Sequence, residues 1–149
     1  MLHENVATAI TKNYANTLTT TGVELTEGKH YWEVELLSKN MSRILIGISR
    51  PNLDPVRKCT YGCWFMHALN GTLFSHRKRG EDEAGRFEQG DRVGVLLDLG
   101  DGSVRFFRNG AQHGPGYAAG SVTGPVVAAV QMYVPNESVR LLPNAQQPE

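Results

Sequence analysis

The chain has 149 residues, enough for one domain that buries about two thirds or more of its unfolded surface. Its 15 Lys and Arg balance 15 Asp and Glu, so no whole-molecule field draws it to nucleic acid or anionic lipid, and a partner must be recognised by local shape. No apolar run approaches the ~18 residues of a membrane span, no secretory signal opens the chain, and two cysteines, Cys59 and Cys63, are too few for a disulfide scaffold. An intracellular, cytoplasmic protein in a reducing compartment is expected.

In chain order, residues 1–21 show only weak alternation, as in Val6-Ala7-Thr8-Ala9-Ile10, and predict one or two short strands around Lys12 to Asn16. After a turn region at 22–28, Trp32, Val34 and Leu36 alternate with Tyr31, Glu33 and Glu35, the period of a strand with Trp32 facing the core. Beyond a polar loop at 38–42, Ile44, Ile46 and Ile48 form the buried face of a returning strand, and Gly47 permits close backbone approach. Residues 50–63 contain Pro51 and Pro55 and no sustained period. They form a long loop, the kind of segment that carries function on a rigid scaffold. Residues 64–69 and 72–75 make a hairpin about Asn70-Gly71. Residues 76–90 set His76-Arg77-Lys78-Arg79 beside Glu81-Asp82-Glu83 and read as a solvated connection.

The clearest stretch runs from 90 to 110. Val93, Val95, Leu97 and Leu99 take one face of a strand and Gly94, Leu96 and Asp98 the other, so both faces are largely apolar. The second face must be covered too, or lie close under another backbone. Gly100-Asp101-Gly102 reverses the chain, Val104 and Phe106 return opposite Arg105 and Phe107, and Asn109-Gly110 signals a further tight turn. Residues 126–134 are the last long apolar strand, residues 137–142 close the fold, and residues 144–149 form a tail or linker stub. No segment keeps a helical period for ten residues. The fold class is all-β, a two-sheet antiparallel β-sandwich, with Trp32, Ile46, Val95, Leu97, Phe106 and Val127 in its core.

Catalytic and metal chemistry find little support. Asp98 has no signalled histidine or second carboxylate to face, so it is a structural aspartate accepting hydrogen bonds from backbone or an arginine. No serine stands in a Gly-x-Ser-x-Gly turn. Cys59, Cys63 and His67 recur every four residues, but at about 3.3 Å per residue of extended chain each step exceeds ten ångströms. They are expected to be metal-free, with both cysteines reduced. The acidic block cancels the field of the basic block within a Debye length, and no aromatic platform accompanies it. A protein that is not an enzyme, needs no cofactor and binds no nucleic acid or membrane is expected. What remains is a loop-built surface. The 50–63 loop, the early turn at Lys12-Asn13-Tyr14 and the stretch Gln131-Met132-Tyr133 hold Tyr, Met and Arg, types enriched at interface cores. A lectin-like sandwich that stacks aromatic residues on a sugar is the alternative, by analogy of fold.

Four motifs in order carry a resemblance: Gly28-Lys29-His30-Tyr31-Trp32-Glu33-Val34-Glu35 with Ile46-Gly47-Ile48-Ser49; Gly62-Cys63-Trp64-Phe65; Gly90-Asp91-Arg92-Val93-Gly94-Val95-Leu96-Leu97-Asp98-Leu99 with Phe106-Phe107-Arg108-Asn109-Gly110; and Pro125-Val126-Val127-Ala128-Ala129-Val130 with Val139-Arg140-Leu141. Together they resemble the SPRY domain of the SPRY/B30.2 family, over roughly residues 22–142. The resemblance implies a concanavalin-like jelly-roll sandwich without the PRY extension, a single monomeric domain over 1–143 with a tail at 144–149. It also implies a non-catalytic module that binds a short peptide of a partner protein through edge loops. Such a module serves as an adaptor or substrate receptor in a larger protein, for example in ubiquitin ligation. Carried onto this chain, the family's peptide pocket implies Asn13, Tyr14, Arg50, Pro51, Asn52, Tyr61, Val130, Gln131 and Met132 as partner-binding residues, all gathered on one rim. The best-known peptide binders carry a tryptophan-glycine pair about where Gln131-Met132 stands here, so their peptide preference is not implied.

Overall fold

The computed structural model describes residues 2–3, 6–8, 17–39, 43–53, 61–75, 78–79 and 84–148. These residues form β1 (Leu2–His3), β2 (Val6–Thr8), β3 (Thr17–Thr20), β4 (Lys29–Leu36), β5 (Leu45–Ser49), β6 (Cys63–His67), β7 (Leu73–Ser75), β8 (Lys78–Arg79), β9 (Arg92–Asp98), β10 (Ser103–Arg108), β11 (Ala111–Gln112), β12 (Val127–Met132) and β13 (Ser138–Leu142). The first sheet runs β1-β2-β13-β4-β9-β10-β11 and the second β3-β12-β5-β6-β7-β8, with the named pairings antiparallel. The chain is all-β, and its architecture is the two-sheet antiparallel sandwich expected from the alternation.

The two sheets close on one another through the alternate residues that the sequence marks. Trp32, Val34 and Leu36 of β4, with Val93, Val95, Leu97, Val104 and Phe106 of β9 and β10, face Ile46 and Ile48 of β5, Trp64 and Met66 of β6, and Ala128 and Met132 of β12. All are buried, and burying each large side chain favours the fold by about 1.5–3 kcal/mol. The second sheet is apolar on its outer face as well, where Leu18, Leu45, Cys63, Phe65, Phe74 and Ala129 form a separate buried cluster joined by Leu53. Val127 belongs on this outer side. It is buried as expected, but its register partner is Ser49, and Ser49 in turn pairs with Cys63, so Val126 and Ala128 are the inward residues. The unbroken apolar run hides the phase of the alternation there.

The prediction of a covered second face at β9 holds through a side chain. The Tyr31 ring lies across Gly94, where its hydroxyl takes the space of a Cβ and the Phe107 Cβ stands 3.0 Å from that position. Leu96 is buried beside it. Asp98 is structural: its Oδ1 accepts the Gly100 N–H at 2.8 Å, fixing the turn into β10. The motif residues around that hairpin lock its far end. Asp91 accepts Nε–H of Arg108 at 2.9 Å, Nδ2–H of Asn109 at 3.0 Å and the backbone N–H of Glu88 at 2.8 Å, while Asn109 accepts the Arg92 N–H at 2.9 Å. Asn109 and Gly110 both take positive φ, as a tight hairpin turn requires.

One local expectation changes, and one lies beyond the described residues. Lys78–Arg79, read as part of a solvated connection, pairs with Phe74 and Ser75 as a short edge strand. Charged residues on a short edge discourage further pairing, which is why the stretch does not look like a strand. The early strand of the second sheet is Thr17–Thr20, and the strands expected around Lys12 to Asn16 lie outside the described residues.

Candidate interaction surface

Arg50 leaves β5 at the end of the second sheet and is held on all sides. Its N–H donates to the Gly62 carbonyl at 2.6 Å, tying the start of the long loop to its end. Its guanidinium lies 5.2 Å above the Trp64 ring and donates to the carbonyl of Thr123, to the carbonyl of Pro125 at 3.1 Å and to the Thr123 hydroxyl at 3.1 Å. A planar cation with several donors suits this use, because one group can collect carbonyls from a loop with no regular ladder. Gly62 makes room for it: φ is +73°, and a Cβ there would stand 2.8 Å from Arg50 Cγ. Arg50, expected to bond a peptide, uses these donors to fasten residues 123–125 to the first residue of the 50–62 loop at the protein surface.

Around this clamp the side chains reach outward. Tyr61 is 61% exposed, and Asn52 is exposed on a left-handed turn at φ 64°. Pro51 is half-buried, Thr123 and Pro125 are exposed, and Leu53 turns inward onto the outer cluster. The result is an aromatic ring and an amide beside a set of surface hydrogen bonds that tie Arg50 to residues 62, 123 and 125. Preorganised loops lose less entropy on binding than mobile ones.

The expected rim does not assemble as a whole. Antiparallel pairing sets Val127 against Ser49 and Gln131 against Leu45, so Arg50 lies beyond one end of β5 while Met132 lies beyond the other. At about 3.3 Å per residue the two are roughly 20 Å apart along the sheet. Tyr61 stands at the Arg50 end, next to Gly62. The side chains at the far end are also not presented for contact: Met132 is fully buried in the main core, Gln131 is 2% exposed, and Val130 is partly buried against the main core. Alternation sends Met132 inward with Ala128, a phase that Tyr-Met-Gln composition alone does not reveal. Asn13 and Tyr14 lie outside the described residues.

That far end is closed by an acid. Glu137 is fully buried, and its Oε1 accepts the N–H groups of Tyr133 at 3.0 Å and Val134 at 2.8 Å while Oε2 accepts the N–H of Arg43 at 3.2 Å. A carboxylate that satisfies three amides ties the β12–β13 connection to the loop before β5. Neither Glu137 nor the Thr123 and Pro125 partners of Arg50 carried a signal in the sequence, since Arg43 stands 94 residues from Glu137 and Thr123 and Pro125 stand 73 and 75 residues from Arg50.

The described residues hold no group of three or more His, Cys, Asp or Glu placed to share a metal ion, and Cys63 is buried. Cys59 lies outside the described residues.

Comparison with known proteins fits this geometry. The SPRY domain family model matches residues 29–145. Two curated relatives, SPRY domain-containing SOCS box protein 3 of Xenopus tropicalis and of Xenopus laevis, are each 33% identical over 93 residues, covering 57% of this chain and 26% of theirs. The matched part thus spans about a quarter of those relatives' length. Among solved structures, the SPRY domain of human HERC1 superposes with TM-score 0.76 at 19% identity, covering 97% of this chain and 98% of that one. A human SPRY domain superposes with TM-score 0.83 at 20% identity, covering 98% and 96%. SPRY domains are non-catalytic protein-interaction modules, and this chain belongs to the SPRY domain family.

Proposed function

We propose that this SPRY domain holds a short, extended segment of a partner protein on the loop platform around Arg50, with Tyr61 as the apolar anchor and Asn52 as a hydrogen-bonding group. Pro51, Thr123 and Pro125 complete the contact surface. The observation that carries this reading is the combination of a large exposed ring at Tyr61 with a guanidinium that hydrogen-bonds residues 123 and 125 beside it. Such a pairing of fixed backbone and exposed aromatic is what interface anchors require.

The domain works as the recognition part of a larger protein. The Xenopus relatives carry a SOCS box in addition to their SPRY domain, and that architecture supports an adaptor that brings a bound protein to other machinery, as in ubiquitin ligation. An intracellular, monomeric module that takes protein rather than nucleic acid or membrane is consistent with the balanced charge. A pull-down from cell extract, followed by mapping the captured partner on overlapping peptides, tests this reading. One short segment should account for binding and should lose it with Tyr61→Ala. Binding that needs a folded partner domain, or that survives Tyr61→Ala unchanged, would overturn the proposal.

A further inference from the structure

The first sheet has a gap in the line of β13. The Gly28 carbonyl accepts the Leu99 N–H at 2.9 Å and the Leu36 N–H donates to the Asp91 carbonyl at 2.9 Å, so the even-numbered residues of β4 bond toward β9. The Leu37 N–H donates to the Ser138 carbonyl at 3.1 Å, so the odd-numbered ones bond toward β13. That second ladder ends where Leu142 pairs with Glu33. Tyr31 and Lys29 come next in the odd set, and no described residue bonds their backbone groups on this side. Continued register would set Asn144 opposite Tyr31, but Asn144 and Ala145 lie beside Arg92 and Arg140 instead.

A cleft of about 440 Å³ opens beside this edge. The first four residues of β4 line it, together with Val23, Leu25, Ala128, Leu141 and Pro143. Trp32 and Ala128 are buried, inward-facing residues of opposite sheets, so the cleft is a mouth between the sheets that reaches the main core. Val23 is 63% exposed, the most exposed large apolar side chain among the described residues. His30 is fixed at the cleft by its Nε2, which donates to the Glu27 carbonyl at 2.8 Å. An apolar recess thus lies directly against two residues whose backbone donors and acceptors are unused.

This combination specifies an extended chain. A strand laid against β4 in the line of β13 meets both the N–H and the C=O of Tyr31, and those of Lys29 about 7 Å further on. Residues opposite one another in a sheet share a face, so the residue opposite His30 points inward, into the cleft, as Trp32 and Val34 do. Its walls of Val23, Leu25 and Leu141 suit an aliphatic side chain, whose burial adds to the backbone bonds. We infer that this edge is a strand-addition site, which takes an extended segment of a partner protein and receives one of its aliphatic side chains between the sheets. It uses neither Tyr61 nor Asn52 and stands independently of the Arg50 platform.

The test uses the full chain and the capped peptide acetyl-Ser-Val-Thr-Val-Ser-amide, followed by amide NMR and hydrogen exchange. Without peptide, the Tyr31 amide should exchange at least tenfold faster than those of Trp32 and Glu33, which lie in ladders. Added peptide should shift the Tyr31 amide and the Trp32 indole N–H saturably and slow Tyr31 exchange at least tenfold. Methylating the threonine nitrogen of the peptide should weaken binding at least tenfold, and replacing both valines by glycine at least fivefold. Val23→Asp in the chain should weaken it at least fivefold; the two altered peptides decide the matter if that variant does not fold. A Tyr31 amide as protected as Glu33 in the free chain, no saturable shift, or equal binding of the methylated peptide would overturn the inference. So would shifts confined to Asn52 and Tyr61, or Tyr31 shifts that appear on raising protein concentration alone, which would assign the edge to a second copy of the chain.

Discussion

The two ends of the second sheet are built on opposite charges. At one end the Arg50 guanidinium gathers backbone carbonyls of residues 123 and 125; at the other the Glu137 carboxylate gathers backbone N–H groups of residues 43, 133 and 134. Each replaces a missing ladder where strands give way to loops, and each joins segments far apart in the chain. They differ in what surrounds them. Glu137 is wholly buried among side chains turned inward, including Met132, whereas Arg50 carries an exposed Tyr61 and Asn52 beside it. One device closes the sandwich, and the other braces a surface that can meet a partner. A charged group at a loop is therefore not evidence of a binding site until the exposure of its neighbours is known.

The sharpest way to break the comparison is to remove the two clamps. Glu137→Ala should destabilise by about 3 kcal/mol or more in chemical denaturation, since it removes a buried carboxylate and leaves the buried Val134 amide and the part-buried Tyr133 and Arg43 amides without that partner. Phe106→Ala, a cavity mutation in the main core, should cost about the same and calibrates the scale. Arg50→Ala should cost less, about 1–2 kcal/mol, because its donors and the carbonyls they serve lie nearer water. Equal losses at both ends would mean that the Arg50 end is as structural as the other.

A smaller effect tests the turn shared by the first sheet's motifs. Burial works against the ionised Asp91, but hydrogen bonds from Asn109 and the Glu88 N–H, with the Arg108 charge and hydrogen bond, outweigh it and hold the carboxyl below its usual range. A depressed folded pKa contributes stability that is present above the ordinary carboxylate pKa and is lost as pH falls through the folded one. Asp91→Asn should therefore lower stability at neutral pH and flatten its decline on the acid side. An acid limb identical to that of the wild-type chain would exclude Asp91 as a source of that decline.

How far these features could be read from the sequence follows from the range over which each acts. Strand alternation is local, so the faces of β4, β5, β9 and β10 were legible residue by residue. The covered face at Gly94 and Leu96 was legible too, from two residue types out of place on a solvated strand. Register between strands is not local. Nothing in residues 50 and 132 says that antiparallel pairing puts them at opposite ends, and the family resemblance placed them together. Arg50 met the same limit, since its carbonyl partners stand 73 and 75 residues further on. Glu137 looked like any polar residue before a last strand.

The contrast between the two ends rests most directly on Tyr61 and Met132, measured side by side for stability and for affinity to the mapped partner peptide. Tyr61→Ala should leave the denaturation midpoint nearly unchanged and weaken binding by about 1–2 kcal/mol, roughly five- to thirtyfold. Met132→Ala should lose about 2–5 kcal/mol of stability, while the fraction that remains folded binds normally. A Tyr61 variant that binds with wild-type affinity, beside a stable Met132 variant that does not bind, would contradict the assignment of the two ends.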